Sequence, residues 1–393
     1  MNKILFLHVS TILGGSERSF LDLLEQATLD QKKLFTVVLP GPGPLNDELQ
    51  KFMPEVKIVT IPLPQAFAKI TRKWPVLSLF VAILTMPALI VYLYRLVTLI
   101  KKLNPRIIYS NGLKCHILSL VLKKISPRPT VWHLQDFFPE LWYLKKFLNW
   151  VGTAPELIVC NSDSVQENLK LQIPGQWKTR LTTVHNAVDA HHFTPQSKNY
   201  ANDTVVISMV GMLTPWKGQD IFIEAIIELL NANANLKIHC QIVGDETYQT
   251  FGESGFKKRL IERVFNSGLK DKIIFLGLIK EIEKIYQQSD IVVHCSIRPE
   301  PFGRVIIEAM ASECAVVAAA AGGVTEIITD QVDGLLVQPG VVSDLRLAIE
   351  KLCTDSSLRM KLSKAGRKTV EKKFSSTSFA EKIFSDLQFW NQV

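Results

Sequence analysis

Between Glu55 and Asp136 the sequence has no acidic residue at all, although twelve Lys and Arg fall in that interval. Such one-sided charge points to an anionic surface or polymer. The imbalance is local. Up to residue 190 there are 22 Lys and Arg against 13 Asp and Glu, and beyond it 23 against 24, which leaves the formal charge of +8 on the first half. Cysteine is sparse as well: six residues, far apart, with no Cys-x-x-Cys and no His/Cys cluster at zinc spacing. No zinc motif is read from this spacing, and the cysteines read as reduced, mostly buried thiols of a cytosolic protein. No Asp-x-Asp occurs and nothing else has metal-site spacing, so neither a catalytic metal nor a bound cofactor is expected. Low-complexity tracts and fixed-period repeats are absent too. The N-terminal Leu-Phe-Leu-His-Val segment, followed by Gly-Gly, reads as a buried first strand and a loop rather than a signal with its cleavage site.

What is present is a globular composition, 47% hydrophobic and 21% charged, over 393 residues, too long for one ordinary core and suited to two domains. Both halves alternate short β-branched runs with helix-length segments. "KILFLHVS", "LFTVVLP", "KIVTIPL", "RIIYSNG", "PTVWHLQ" and "ELIVCNS" belong to the first half. "TVVISMVG", "KIHCQIVGD", "KIIFLG", "DIVVHCS", "CAVVAAA" and "GLLVQP" belong to the second. Continuous apolar strands without polar alternation fit parallel sheets covered on both faces, hence an α/β protein of two doubly wound, Rossmann-like domains. The polar stretch around 191–203 is the expected linker, with the first domain at 1–190 and the second at 204–374. Ligands of such sheets bind beyond the carboxyl ends of the strands, so the loops there should carry function.

One of those loops is "RPEPFGRVIIEAM" (298–310). Pro301 and Gly303 predict a helix starting near Arg304, with Glu300 on the incoming loop and Glu308 inside the helix. Positions eight apart fall within ~80° on a helix, so both carboxylates can look the same way. Backbone N–H groups at such a helix start suit an anion such as a phosphate. A capped surface helix with two solvated acids is the bland alternative. Further loops carry Gly14-Gly15-Ser16-Glu17 after the first strand, Lys217-Gly218 after the first strand of the second domain, and Gly322, Gly323 and Glu326 after "AVVAAA".

Together and in this order these motifs resemble the retaining nucleotide-sugar glycosyltransferases of family four (glycosyl transferases group 1), which have the GT-B fold. The resemblance is strongest over residues 205–340. It implies that Glu308 binds the donor ribose, Glu300 contacts the donor sugar, and backbone amides around Phe302 and Gly303 hold sugar and diphosphate. It implies that Lys217 neutralises the diphosphate leaving group, whose charge grows as the glycosidic bond breaks. Gly14 and Gly15 would let the first helix approach the donor phosphates or the acceptor. His133, ending the strand "TVWHLQ", matches the family's histidine beside the donor sugar; a core histidine satisfied by neighbours is the other reading. The family usually has an arginine five positions before the lysine, where this chain has Met212, and Arg304 is a candidate replacement. The loop "SECAVV" also departs from the family's Ser-x-Gly-x-Pro and reads as drift remote from the chemistry. The final helix, "SFAEKIFSDLQFW" (within 375–393), resembles the one that crosses back to the first domain.

"PVLSLFVAILTMPALIVYLY" (75–94) is twenty residues without a charge, long enough to span a membrane. Pro87 interrupts it, and spanning would separate strands of one sheet. The remaining readings are a buried helix and a helix with one face in the membrane interface. Flanking Lys69, Arg72, Lys73, Lys101 and Lys102, and the Trp/Leu/Lys mixture "LWYLKKFLNW", favour the interface. The expectation is therefore a retaining hexosyl transfer from a nucleoside-diphosphate sugar to a lipid-linked or glycan acceptor. The enzyme would be cytoplasmic and peripheral on the anionic inner face of the plasma membrane, without nucleic-acid partners. A nucleotide-sugar epimerase on the same fold and a catalytically silent membrane scaffold are the rivals.

Overall fold

A computed structural model of the chain describes residues 3–64, 86–175, 177–196, 204–246 and 255–388. It divides into two compact units, Met1–His185 with Thr377–Val393, and Asn186–Ser376.

In the first unit the apolar runs become β1 (Ile4–Leu7), β2 (Phe35–Leu39), β3 (Lys57–Thr60), β4 (Ile107–Asn111), β5 (Thr130–Leu134), β6 (Leu157–Cys160) and β7 (Arg180–Thr183). They pair in parallel in the order β3-β2-β1-β4-β5-β6-β7. The five inner strands are buried at every residue, which is why their sequences show no polar alternation, whereas the edge strands β3 and β7 are partly exposed. Right-handed crossovers set helices Gly15–Glu25 and Pro44–Phe52 on one face. Helices Met86–Leu103, Leu113–Ile125, Trp142–Val151 and Asp163–Gln172 lie on the other. The last helix, Ser376–Gln388, returns to the first of these faces, as expected. There Phe384 stacks on Phe35 at 6.2 Å, Phe379 lies 6.2 Å from His133, and Asp386 pairs with Arg180 at 2.6 Å.

The second unit repeats the plan with β8 (Val205–Val210), β9 (Ile238–Val243), β10 (Ile273–Gly277), β11 (Ile291–His294), β12 (Ala315–Ala319) and β13 (Leu335–Val337). All pair in parallel, in the order β10-β9-β8-β11-β12-β13.

Two expectations need adjusting. The crossing between units lies at His185/Asn186 rather than at 191–203. Val188 bonds to the Phe374 carbonyl at 3.0 Å and Phe193 packs at 5.9 Å from Tyr286, so 186–196 belongs to the second unit. Its polar composition hid these two apolar anchors. Residues 197–203 lie outside the described residues. In the uncharged run 75–94, residues 75–85 lie outside the described residues, as do Lys69, Arg72 and Lys73. From Met86 onward the chain is a helix that buries Tyr92, Leu96 and Ile100 and exposes Met86, Ile90, Val91 and Tyr94. Buried and exposed thus describe two sides of one helix. Among the described residues no helix is long and apolar enough to cross a membrane.

Candidate active site

The loops after β8, β11 and β12 meet at one side chain, Glu300. Lys217 ends a one-turn 3-10 helix, Pro215–Lys217, and Gly218 follows with φ +78°. A Cβ at Gly218 would stand 2.1 Å from the Cys295 carbonyl oxygen, so only glycine lets this turn lie on the end of β11. The Ile297 N–H donates to the Trp216 carbonyl at 2.8 Å and ties the two loops. Lys217 Nζ consequently sits 2.7 Å from Glu300 Oε2 and 4.2 Å from the centre of the Trp216 ring. The same carboxylate oxygen lies 3.0 Å from Ser296 Oγ and 3.2 Å from His294 Nε2.

The glycine pair after β12 has a matching purpose. The Glu300 N–H donates to the Ala321 carbonyl (3.3 Å) and the Glu300 carbonyl accepts from Gly323 (2.8 Å). Gly322 has φ +68°, and a Cβ there would be 2.2 Å from the Glu300 carbonyl oxygen. The Gly-Gly seen in the sequence is therefore a seat for the backbone of the acid. Burial alone would push the Glu300 carboxyl up. The Lys217 charge together with the hydrogen bonds from His294 and Lys217 outweighs it and holds the group well below the usual carboxylate range.

Helix Arg304–Ala311 begins where the sequence predicts, after Gly303 at φ +110°. Glu308 is buried, accepts from Tyr286 Oη at 3.1 Å, and lies 3.5 Å from Arg304. Arg304 also donates to the Ala187 carbonyl at 3.1 Å, so its guanidinium is engaged within its own unit. The carbonyl of Met212 accepts from Gln219 at 2.9 Å. Phe302 is a core residue against Phe374 (5.9 Å), so what it and Gly303 offer a ligand is backbone. Thr214 Oγ1, Gln219 Oε1 and His294 Nδ1, all buried beside these loops, have no hydrogen-bond partner among the described residues. Leaving such groups unmade costs about 1–3 kcal/mol each, a cost a polar ligand would remove.

The first unit has its own polar edge. His133 is fully buried, with Nδ1 2.8 Å from Tyr109 Oη and Nε2 2.7 Å from Gln135 Nε2. Gln135 in turn accepts from Asn161 at 3.2 Å. Both ring nitrogens thus have partners, as in a histidine satisfied by its neighbours. Burial first, and His8 second, lower its pKa to about 3 and keep it neutral. Around it, His8 Nε2, Asn111 Oδ1 and Asn161 Oδ1 are buried without partners among the described residues, at the carboxyl ends of β1, β4 and β6. Gly14 caps helix Gly15–Glu25, but its N–H is taken by Glu17 Oε2 at 3.1 Å.

His294, Ser296 and Tyr286 were not singled out from the sequence. The available signal was polar residues closing an apolar parallel strand just before the Pro-Phe-Gly loop; Tyr286 had none.

Two family profiles match the chain, Glycosyltransferase Family 4 over residues 13–192 and Glycosyl transferases group 1 over residues 192–369. Mannosylfructose-phosphate synthase of Agrobacterium fabrum is 26% identical over 238 residues, which is 58% of this chain and 52% of that protein. D-inositol 3-phosphate glycosyltransferase of Stackebrandtia nassauensis is 30% identical over 224 residues, 54% of this chain and 49% of that protein. The chain thus spans about half the length of these relatives. The crystal structure of Anabaena Alr3699/HepE with UDP and glucose superposes with a TM-score of 0.80, at 23% identity, over 99% of this chain and 100% of that one. Two parallel-sheet units, motif loops converging on Glu300, and profiles that adjoin along the chain lead to one assignment: the protein belongs to the group 1 glycosyltransferases of family four, on the GT-B fold.

Proposed function

We propose that the protein transfers a hexosyl group from a nucleoside-diphosphate sugar to a hydroxyl acceptor, with retention of anomeric configuration. The observation that carries this reading is the buried Lys217–Glu300 pair at 2.7 Å, held on loops that only glycine can build. The lysine meets the charge that develops on the departing diphosphate, so it stabilises the transition state more than the ground state. No metal or cofactor is required in this scheme, because Lys217 is the fixed cation. Glu300, kept ionised by its neighbours, orients the sugar hydroxyls. Glu308 accepts from the ribose diol. No carboxylate is assigned as a nucleophile; the leaving phosphate takes the acceptor proton as the new bond forms on the same face. HepE, on the same fold, was crystallised with UDP and glucose, which supports a nucleoside-diphosphate sugar as donor.

The acceptor in this reading is lipid-linked or membrane-resident, in polysaccharide or glycolipid synthesis, and the enzyme is peripheral on a cytoplasmic membrane face. The acid-free interval from Glu55 to Asp136 supports it. The test is a thermal-shift panel of UDP, GDP, ADP and their sugars, followed by transfer assays with the donor that stabilises. A ligand at a hundredfold excess over its Kd should add ~2.7 kcal/mol. No shift with any nucleotide would remove the reading.

A further inference from the structure

Helix Leu113–Ile125 packs against both Met86–Leu103 and Trp142–Val151, so the three lie side by side on one face of the first sheet. Each turns its inner stripe to the core, including Leu96 and Ile100, Leu118 and Leu122, and Leu144 and Leu148. The outward sides are unusual. Trp142 is 71% exposed and Trp150 is 73% exposed, and at eight residues apart they lie on the same side of their helix. Lys146 stands 5.0 Å from the Trp142 ring, and Lys124 of the neighbouring helix 5.3 Å from the Trp150 ring. On the third helix Ile90 and Tyr94, one turn apart, are 62% and 72% exposed, and Lys101 and Lys102 close its last turn.

The three helices contain three, three and two Lys or Arg and no Asp or Glu. Not all of these cations face outward; Lys123 turns to Glu156. Lys101, Lys102, Lys124, Lys145 and Lys146 are exposed. Large aromatics in water beside cations, with no acid on the three helices themselves and exposed Asp136 and Glu140 confined to the segment before Trp142, match a surface that is apolar below and anionic above. A polyanion such as nucleic acid would satisfy the lysines but leave Ile90 in water. An acidic protein partner would satisfy either set only with a matched surface of its own. A phospholipid headgroup layer takes both, because Trp and Tyr seat at the boundary and Lys reaches the phosphates.

We propose that this three-helix face docks the protein on an anionic phospholipid bilayer, with Trp142 and Trp150 at headgroup level and the exposed lysines on lipid phosphates. The proposal rests on the membrane-resident acceptor of the reading above and gives it a place. The helices run antiparallel to the strands they connect, so Trp142 and Ile90 lie toward the carboxyl edge of the sheet. That is the edge bearing His8, Asn111 and Asn161.

The test is co-sedimentation of the full chain with sucrose-loaded phosphatidylcholine vesicles, with and without phosphatidylglycerol, at low and high salt. The parent should bind the anionic vesicles and be released by salt. Each cation near an anionic surface is worth roughly a fivefold gain in partition, so the Lys124→Gln/Lys145→Gln/Lys146→Gln variant should partition about a hundredfold less. Trp142→Ala/Trp150→Ala should lose binding at low salt as well, with an unchanged melting temperature. Both sets are exposed, so neither should unfold the protein. Parent-like binding by both variants, or no binding by the parent, overturns the proposal. So does self-association of the parent, by light scattering, that the tryptophan variant abolishes, because the face would then belong to a second copy. Vesicle binding without any nucleotide-sugar binding would leave the docking face standing and remove the glycosyl-transfer reading instead.

Discussion

Lys217 and Glu300 are 83 positions apart in sequence and 2.7 Å apart in space, and each is more than four-fifths buried. Two charges so placed stabilise chiefly by neutralising each other, and removing one strands its partner. Lys217→Met should therefore cost about 3 kcal/mol of stability, at the low end for a buried pair because His294 and Ser296 still reach the acid. Lys217→Met/Glu300→Gln should recover most of that loss. Calorimetric melts of the three proteins decide it; a double variant no more stable than the lysine variant alone would show the acid is not stranded.

On the proposed role of Glu308 as acceptor for the ribose diol, Glu308→Ala should weaken nucleotide-sugar binding by about 1.5–3 kcal/mol. Tyr286→Phe, which removes only the hydroxyl 3.1 Å from that carboxylate, should lie between it and the parent. Titration calorimetry with the stabilising donor measures both. Equal affinity in all three proteins would take Glu308 out of the site.

At Gly322 a methyl group would press on the Glu300 carbonyl, and the backbone is left-handed besides. Gly322→Ala should cost about 1–3 kcal/mol in strain and shift Glu300 away from Lys217. Turnover should fall well beyond what the fraction unfolded explains, with ribose binding through Glu308 largely kept. A fall in rate matching the fraction unfolded would make Gly322 a folding residue only.

His8, His116 and His133 are fully buried, and burial brings each to about 3; His133 adds to the effect at His116, and His8 at His133. An unfolded histidine takes up its proton near pH 6.5, so as pH falls through the window from 6.5 toward 3 the unfolded chain binds protons that the native chain refuses. Stability present above pH 6.5 is therefore lost on acidification. From about pH 7.5 to about 5.5 the loss should be ~1.4 kcal/mol per histidine, on the order of 4 kcal/mol for the first unit. Melting temperature against pH reads it, and His116→Gln should flatten the curve by about a third. A curve that does not fall below pH 6.5 contradicts the burial of these rings.

Much of the architecture was legible because parallel strands buried on both faces write themselves as unbroken apolar runs, and the start of the helix at Arg304 follows from Pro301 and Gly303. The boundary between units was not, since Val188 and Phe193 are two apolar anchors in a polar stretch. Motif spacing picks out Glu300, Glu308 and Lys217 as candidates, but not the side chains that hold them. His294 looks from sequence like one more strand residue, and Tyr286 reaches Glu308 through space with no fixed offset. The "SECAVV" loop, read as drift, carries Cys314, whose thiol donates to the Tyr286 carbonyl at 3.1 Å. It therefore touches the residue that holds Glu308.

The helix Ser376–Gln388 comes after the second unit in the chain, yet it covers Phe35 and the ring of His133 in the first. While the ribosome works through Asn186–Ser376, helices Gly15–Glu25 and Pro44–Phe52 already lie on that side of the first sheet, but the patch around Phe35 and His133 still lacks the helix that covers it. At about 5–20 residues per second the interval is on the order of ten to forty seconds. During it, the patch that this helix covers around Phe35 and His133 is open to other chains, so production of this protein should depend on chaperone capacity. A chain stopped before Thr377 would leave that surface open permanently.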